Sequence, residues 1–120
     1  RLWHYTFKKY AAAQLNKRFK KTTDISMSDE SWSSWAAVKL FSDVAAKSAN
    51  PSTLLLNPQK TSTLAFDGQK GVDLNFNSEL ELLQPMLIID NEIIVSEISI
   101  EKINAVRDTN SYCKTNLGKN

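Results

Sequence analysis

The spacing of apolar side chains changes period along this chain, from four in its first half to two in its second. From Trp3, the residues Trp3, Phe7, Ala11, Leu15 and Phe19 recur at every fourth position, with Tyr10 beside them. That stripe predicts one long helix, because side chains at i and i+4 share a face. Lys9, Asn16, Lys17 and Lys20 fall on the opposite, solvated side. Thr22-Thr23-Asp24 breaks the pattern, and Ser28 reads as the N-cap of a second helix. Asp29 and Glu30 then occupy its first turn, where carboxylates meet the positive end of the helix dipole. Further along, Ala37, Leu40, Phe41, Val44 and Ala45 form a wide apolar arc with Val38 at its edge. The expectation is that Leu40, Phe41 and Val44 are buried while Lys39, Ser42, Asp43 and Lys47 face solvent. Trp32 and Trp35 project towards the polar margin of this helix, near its start. Asn50-Pro51 reads as cap and first residue of a short helix through Leu54-Leu55-Leu56. That helix ends near Asn57, because Pro58 restricts its predecessor, and residues 58–65 read as a polar connection.

From Phe66 the period shortens. Asp67-Gly68 and Lys70-Gly71 are two turn signals three residues apart. Val72-Asp73-Leu74-Asn75-Phe76-Asn77 alternates strictly, the mark of a half-buried strand. Met86–Ile89 and Ile93–Val95 are apolar runs around Asp90-Asn91-Glu92, which predicts an antiparallel hairpin. Both arms are apolar at consecutive positions, so both faces are expected to be covered. Residues 99–106 fit neither period, and from Arg107 the composition is that of a polar tail.

Composition narrows the function classes. A 42% hydrophobic share permits a real core, and no run reaches the ~18 consecutive apolar residues of a membrane span. The net charge of +2 does not by itself imply a polyanionic partner. The first 21 residues hold seven Lys or Arg and no acid. Their aromatics lie on the apolar stripe rather than between the charges, so a solvated face is favoured over a base-stacking one, and no nucleic-acid partner is expected. Position 1 is not Met, so a processed mature protein or a segment of a longer one is expected. Cys113 is the single cysteine and has no internal partner.

No residue set has the spacing of a catalytic or metal centre. His4 is the lone histidine and reads as an ordinary surface or packing residue. Glycines do not form a phosphate-binding loop, and no Cys/His cluster suits zinc. Glu79 and Glu81 would share a face on a strand and read as solvated carboxylates. Lys114 beside Cys113 lowers a thiol's pKa somewhat, but no base accompanies it. Binding without catalysis and without a cofactor is therefore expected. Trp32 and Trp35 are the candidate ligand-binding residues, with core packing as the alternative role of each.

Several short motifs then fall in a familiar order. They are Gln14-Leu15-Asn16 with Arg18-Phe19, Trp32 with Trp35-Ala36-Ala37-Val38, Phe66-Asp67-Gly68-Gln69-Lys70-Gly71, Leu74 and Phe76, Leu82 with Gln84-Pro85, and Asp108-Thr109 with Cys113. Together they resemble the C-terminal part of type I periplasmic binding proteins. The nearest likeness is to the ABC-transporter substrate-binding proteins associated with pyrroloquinoline-quinone-dependent alcohol catabolism. The stretch from Phe66 to Pro85 is the specific part. Departures are Asn77 and Leu83 where that family tends to carry Arg, a loop one residue short between Phe76 and Pro85, and Ala36 where the wider class often has Asp.

The resemblance implies an α/β protein of two lobes, of which this chain is the final portion: two or three helices, then a strand and a hairpin, α+β if taken alone. Residues 1–65 are then the helical part of one lobe, 66–72 a crossover turn, 73–106 the strand and hairpin part, and 107–120 the tail. It further implies a periplasmic location, a small-molecule solute between the lobes, a membrane permease as partner, and a missing N-terminal portion that completes the cleft. The alternative from another class is a free-standing helix-plus-hairpin module that binds a protein through Trp32, Trp35 and open strand edges.

Overall fold

Helical backbone begins at Ala12, not at Trp3. In the computed structural model, which describes residues 1–61 and 63–107, helix α1 is Ala12–Thr23 and the first ten residues form an irregular strap. Tyr10 adopts a left-handed conformation (φ 56°), which a continuing helix does not allow. Beside a few local bonds such as Phe7 N–H to the His4 carbonyl, the strap is held by distant partners. The Trp3 backbone N–H donates to Asp29 Oδ1 at 2.9 Å, and the Trp3 indole N–H to Asn16 Oδ1 at 2.8 Å. The Asn16 amide in turn donates to the Phe7 carbonyl at 3.0 Å. So Trp3, Phe7 and Leu15 are buried as the stripe implies, but one helix does not carry them. Asn16, expected to face solvent, is the polar clamp between strap and helix. At the other end Asp24 closes α1 in the left-handed region (φ 63°), its N–H reaching the Lys20 carbonyl.

Helix α2, Asp29–Lys47, starts where expected: Ser28 is extended and its side chain accepts from the Ser31 N–H. Leu40 and Val44 are buried as expected, but the rest of the buried face is rotated from the expected arc. Trp32, Ala36, Leu40 and Val44 are buried, whereas Phe41 is 50% and Val38 67% exposed. Lys39 and Asp43, expected to be exposed, are half-buried and form an i,i+4 pair at 3.4 Å. Two fourfold stripes run along this helix, and the one led by Trp32 is the one buried. Helix α3, Pro51–Leu56, agrees with the Asn50-Pro51 signal, while Pro58–Thr61 is a further helical turn, α4, within the expected polar connection.

The strands among the described residues are all antiparallel. β1 (Ala65–Asp67), β2 (Asp73–Phe76) and β3 (Leu82–Leu83) form one sheet in that order, with Phe66 opposite Leu74. Residues 66–72 are thus part of a hairpin, not a crossover, since antiparallel neighbours are joined by a tight turn. Within β2 the alternation places Leu74 in the core and Asp73 and Asn75 outside. Glu79 and Glu81 are not on a strand. They lie in the turn after β2, where the Asn77 side chain accepts from both their backbone N–H groups at 2.9 Å.

A second sheet consists of β4 (Met86–Asp90) and β5 (Ile93–Ile98), the expected hairpin. Asn91 and Glu92 both have positive φ, 46° and 64°, as a two-residue turn of the primed type requires. An irregularity between Ile88 and Ile89 leaves Val95 outside the register. The two faces differ. Leu87 is buried and Ile89 and Ile94 pack against the core, but Ile88, Ile93 and Val95 are exposed, so the described residues cover one side and not both as expected. Residues 100–107 are helical, which settles the ambiguous stretch 99–106 and places Arg107, expected to begin the polar tail, in the helix; the Ser99 hydroxyl accepts from the Lys102 N–H. The remainder of the polar tail, with Cys113, lies outside the described residues.

Taken together, the described residues form a small α+β domain with two antiparallel sheets. No helix among them is long and apolar enough to cross a membrane.

Candidate functional site

The strap, α2 and the β1–β2 turn meet at one buried node. Trp3 (0% exposed) and Trp32 (1%) stack with ring centroids 5.8 Å apart and planes 12° from parallel. Phe7 adds an edge-to-face contact on Trp3 at 5.6 Å. Each such aromatic pair contributes about 0.5–1.5 kcal/mol beyond the area it buries. The Trp32 indole N–H donates to the Gly68 carbonyl at 3.2 Å. Gly68 has no room for a side chain: a Cβ there would lie 2.4 Å from Leu74 Cδ1 and 3.2 Å from the Trp32 ring.

Lys70 completes the node. The whole residue is 5% exposed, and its Nζ sits 4.0 Å from the centroid of the Trp32 ring. Nζ donates to the Leu2 carbonyl, to Gln84 Oε1 at 2.7 Å and to the Pro85 carbonyl at 3.4 Å. Three oxygens around one nitrogen match the three protons of an ammonium. Burial works against that charge and brings the Lys70 pKa down from 10.5 to about 7, with the Asp29 carboxylate acting in the opposite direction. One side chain thereby ties together the strap, the first sheet and the entry to β4.

Beside this node lies a cavity of about 190 Å³. Its wall is mostly apolar, from Phe7, Val72, Pro85, Leu87 and the Tyr10 ring, with Lys70, Glu97 and Ser99 as polar members. Glu97 Oε2 is 3.5 Å from Lys9 Nζ, while Oε1 is buried without a hydrogen-bond partner among the described residues. Elsewhere His4 is buried, a packing residue. Its Nδ1 accepts from the Thr6 N–H at 3.3 Å, which leaves the Nε2 proton for Glu92 Oε2 at 3.1 Å. Glu92 also accepts from the Tyr5 hydroxyl, and that hydrogen bond raises the Tyr5 pKa. Glu81 is held below the usual carboxylate range, chiefly by Arg107 and then by the Asn77 amide, which donates to it at 2.9 Å. No group of three His, Cys, Asp or Glu side chains suited to a metal occurs among the described residues.

The two tryptophans singled out by sequence part company here. Trp32 is a core residue, and a ligand reaches its ring only if the node opens. Trp35 is half-buried and packs against the core. Neither lines the apolar cavity. Sequence reasoning missed Lys70 because charged residues are seldom buried and nothing local marks the exceptions, and it missed Glu97 because only the fold brings this half-buried carboxylate to the cavity. The one available signal for Lys70 was its place between two turn glycines.

No family model matches the chain, and neither a curated protein nor a solved structure matches it.

Proposed function

We propose that this chain is the C-terminal part of the solute-binding component of an ABC transporter, active in the periplasm. It completes one lobe of a two-lobe protein that closes over a small molecule and delivers it to a membrane permease. The observation that supports this reading is where the motif residues converge. Asn16, Trp32, Gly68, Lys70, Leu74, Gln84 and Pro85 carry the resemblance and are spread over some seventy positions of sequence. In the fold they belong to one connected set of buried contacts.

The mechanism is a shift of population rather than chemistry. A ligand that contacts both lobes stabilises the closed form by its differential affinity, and the permease reads that form. Affinity comes from enclosing the ligand, so this chain alone leaves most of a cleft ligand in water. Isothermal titration with small alcohols, aldehydes and amino acids tests the reading. Micromolar binding is expected only when the N-terminal portion encoded upstream is joined to these residues. Micromolar binding by the 120 residues alone, or upstream coding sequence without alternating strands and helices, would refute it.

A second reading has its own observation. Ile88 (44%), Ile93 (64%) and Val95 (57%) expose apolar surface on one face of the hairpin, as a protein-binding module would. In the two-lobe reading the same face seats against the rest of the protein. A monodisperse 120-residue monomer that unfolds in a sharp, cooperative transition points to the free-standing module.

A further inference from the structure

The geometry points to a second, smaller binding site inside this chain: the cavity between Tyr10, Lys70, Leu87 and Glu97 takes a neutral, single-ring molecule bearing a hydroxyl group. Size comes first. A dry cavity of roughly 150 Å³ accommodates benzene, so about 190 Å³ holds one ring and a short substituent. The wall of Phe7, Tyr10, Val72, Pro85 and Leu87 suits the ring's faces.

The polar members select the headgroup. Lys70 has its three donors engaged by Leu2, Gln84 and Pro85, so a carboxylate finds no free ammonium proton there. Glu97 Oε1 is the acceptor without a partner among the described residues, and a buried acceptor left unpaired is costly. A hydroxyl donates to it. An ammonium would do so too, but Lys9 at 3.5 Å from the same carboxylate already balances its charge. A further positive charge therefore gains little there. Ser99 adds a hydroxyl to the lining. The site lies within this chain and does not rest on the two-lobe reading, whose test is read at micromolar rather than millimolar concentration.

Phenol is the probe, titrated into the ¹⁵N-labelled 120-residue chain and followed by amide shifts. A ligand of about seven heavy atoms that keeps one edge in water binds at roughly millimolar strength. Saturable shifts are expected at Val72, Leu87, Glu97 and Ser99, with benzoate and benzylammonium at least about tenfold weaker. Glu97→Leu removes the acceptor and weakens phenol about tenfold, whereas Glu97→Gln keeps an acceptor oxygen and retains most of the affinity. Val72→Trp, at an exposed lining position, closes the mouth and abolishes binding without touching the core. Unsaturated or scattered shifts would overturn the assignment. So would benzoate binding equal to phenol, or an unchanged affinity in Glu97→Leu with native amide dispersion.

Discussion

Replacing Trp32 by Phe separates the node's polar work from its bulk. The substitution keeps an aromatic ring against Trp3 but removes the indole N–H that reaches Gly68 at 3.2 Å. The Gly68 carbonyl is then buried and unpaired, at a cost of about 1–3 kcal/mol. The smaller ring leaves a void worth about 1 kcal/mol. Phe also attracts the Lys70 ammonium, 4.0 Å from the present ring centroid, less strongly than Trp does, a loss of about 0.5–1 kcal/mol. The terms share partners and do not add fully, so a loss of roughly 2–4 kcal/mol is expected. Urea unfolding followed by far-ultraviolet circular dichroism measures it, with an unchanged slope showing that the end states are the same. Phe41→Ala on the opposite side of α2 is the control. Its ring is 50% exposed, and about 1 kcal/mol or less is expected. If Phe41→Ala costs more than Trp32→Phe, the buried face of α2 is the sequence-derived arc and the node described here is wrong.

Lys70 gives a pH dependence whose sign follows from its burial. An unfolded lysine holds its proton to about pH 10.4, whereas the folded Lys70 releases it from about pH 7. Between those values the unfolded chain binds the extra proton, so stability rises with pH, by at most about 1.4 kcal/mol per unit. Urea melts at several pH values should show that part of the slope in the wild type and not in Lys70→Met; equal slopes would mean that Lys70 is not titrating as a buried group. Gly71 has φ +86°, and an added Cβ would fall 2.3–2.6 Å from the Tyr10 ring. Gly71→Ala is expected to cost about 1–3 kcal/mol, and Tyr10→Ala in the same chain to recover the steric part but not the backbone part. Additive effects in that double-mutant cycle would remove the contact. Finally, Ile93→Ser combined with Val95→Ser should lower dye binding and self-association while moving stability by about 1 kcal/mol or less; an unchanged dye signal would place the sticky surface elsewhere.

Local chemistry was legible from the chain itself. The Ser28 cap, the Asn50-Pro51 start, the break at Asp24 and the β4–β5 turn all depend on residues within a few positions of one another. The alternation that buries Leu74 was equally readable, since period two leaves one choice of face once one side is apolar. What the chain did not reveal is what each face meets. The Trp3 stripe has helical spacing, yet Asp29 and Asn16 supply the strap with hydrogen bonds from 26 and 13 positions away, which no local period records. On α2 two apolar stripes were available, and the choice between them was made by the Gly68 carbonyl and by Lys70, 36 and 38 positions further on. Lys70 itself is the clearest case. Composition assigns a lysine to the surface, and only a fold that gathers three oxygens and an indole around its nitrogen makes burial of that charge tolerable.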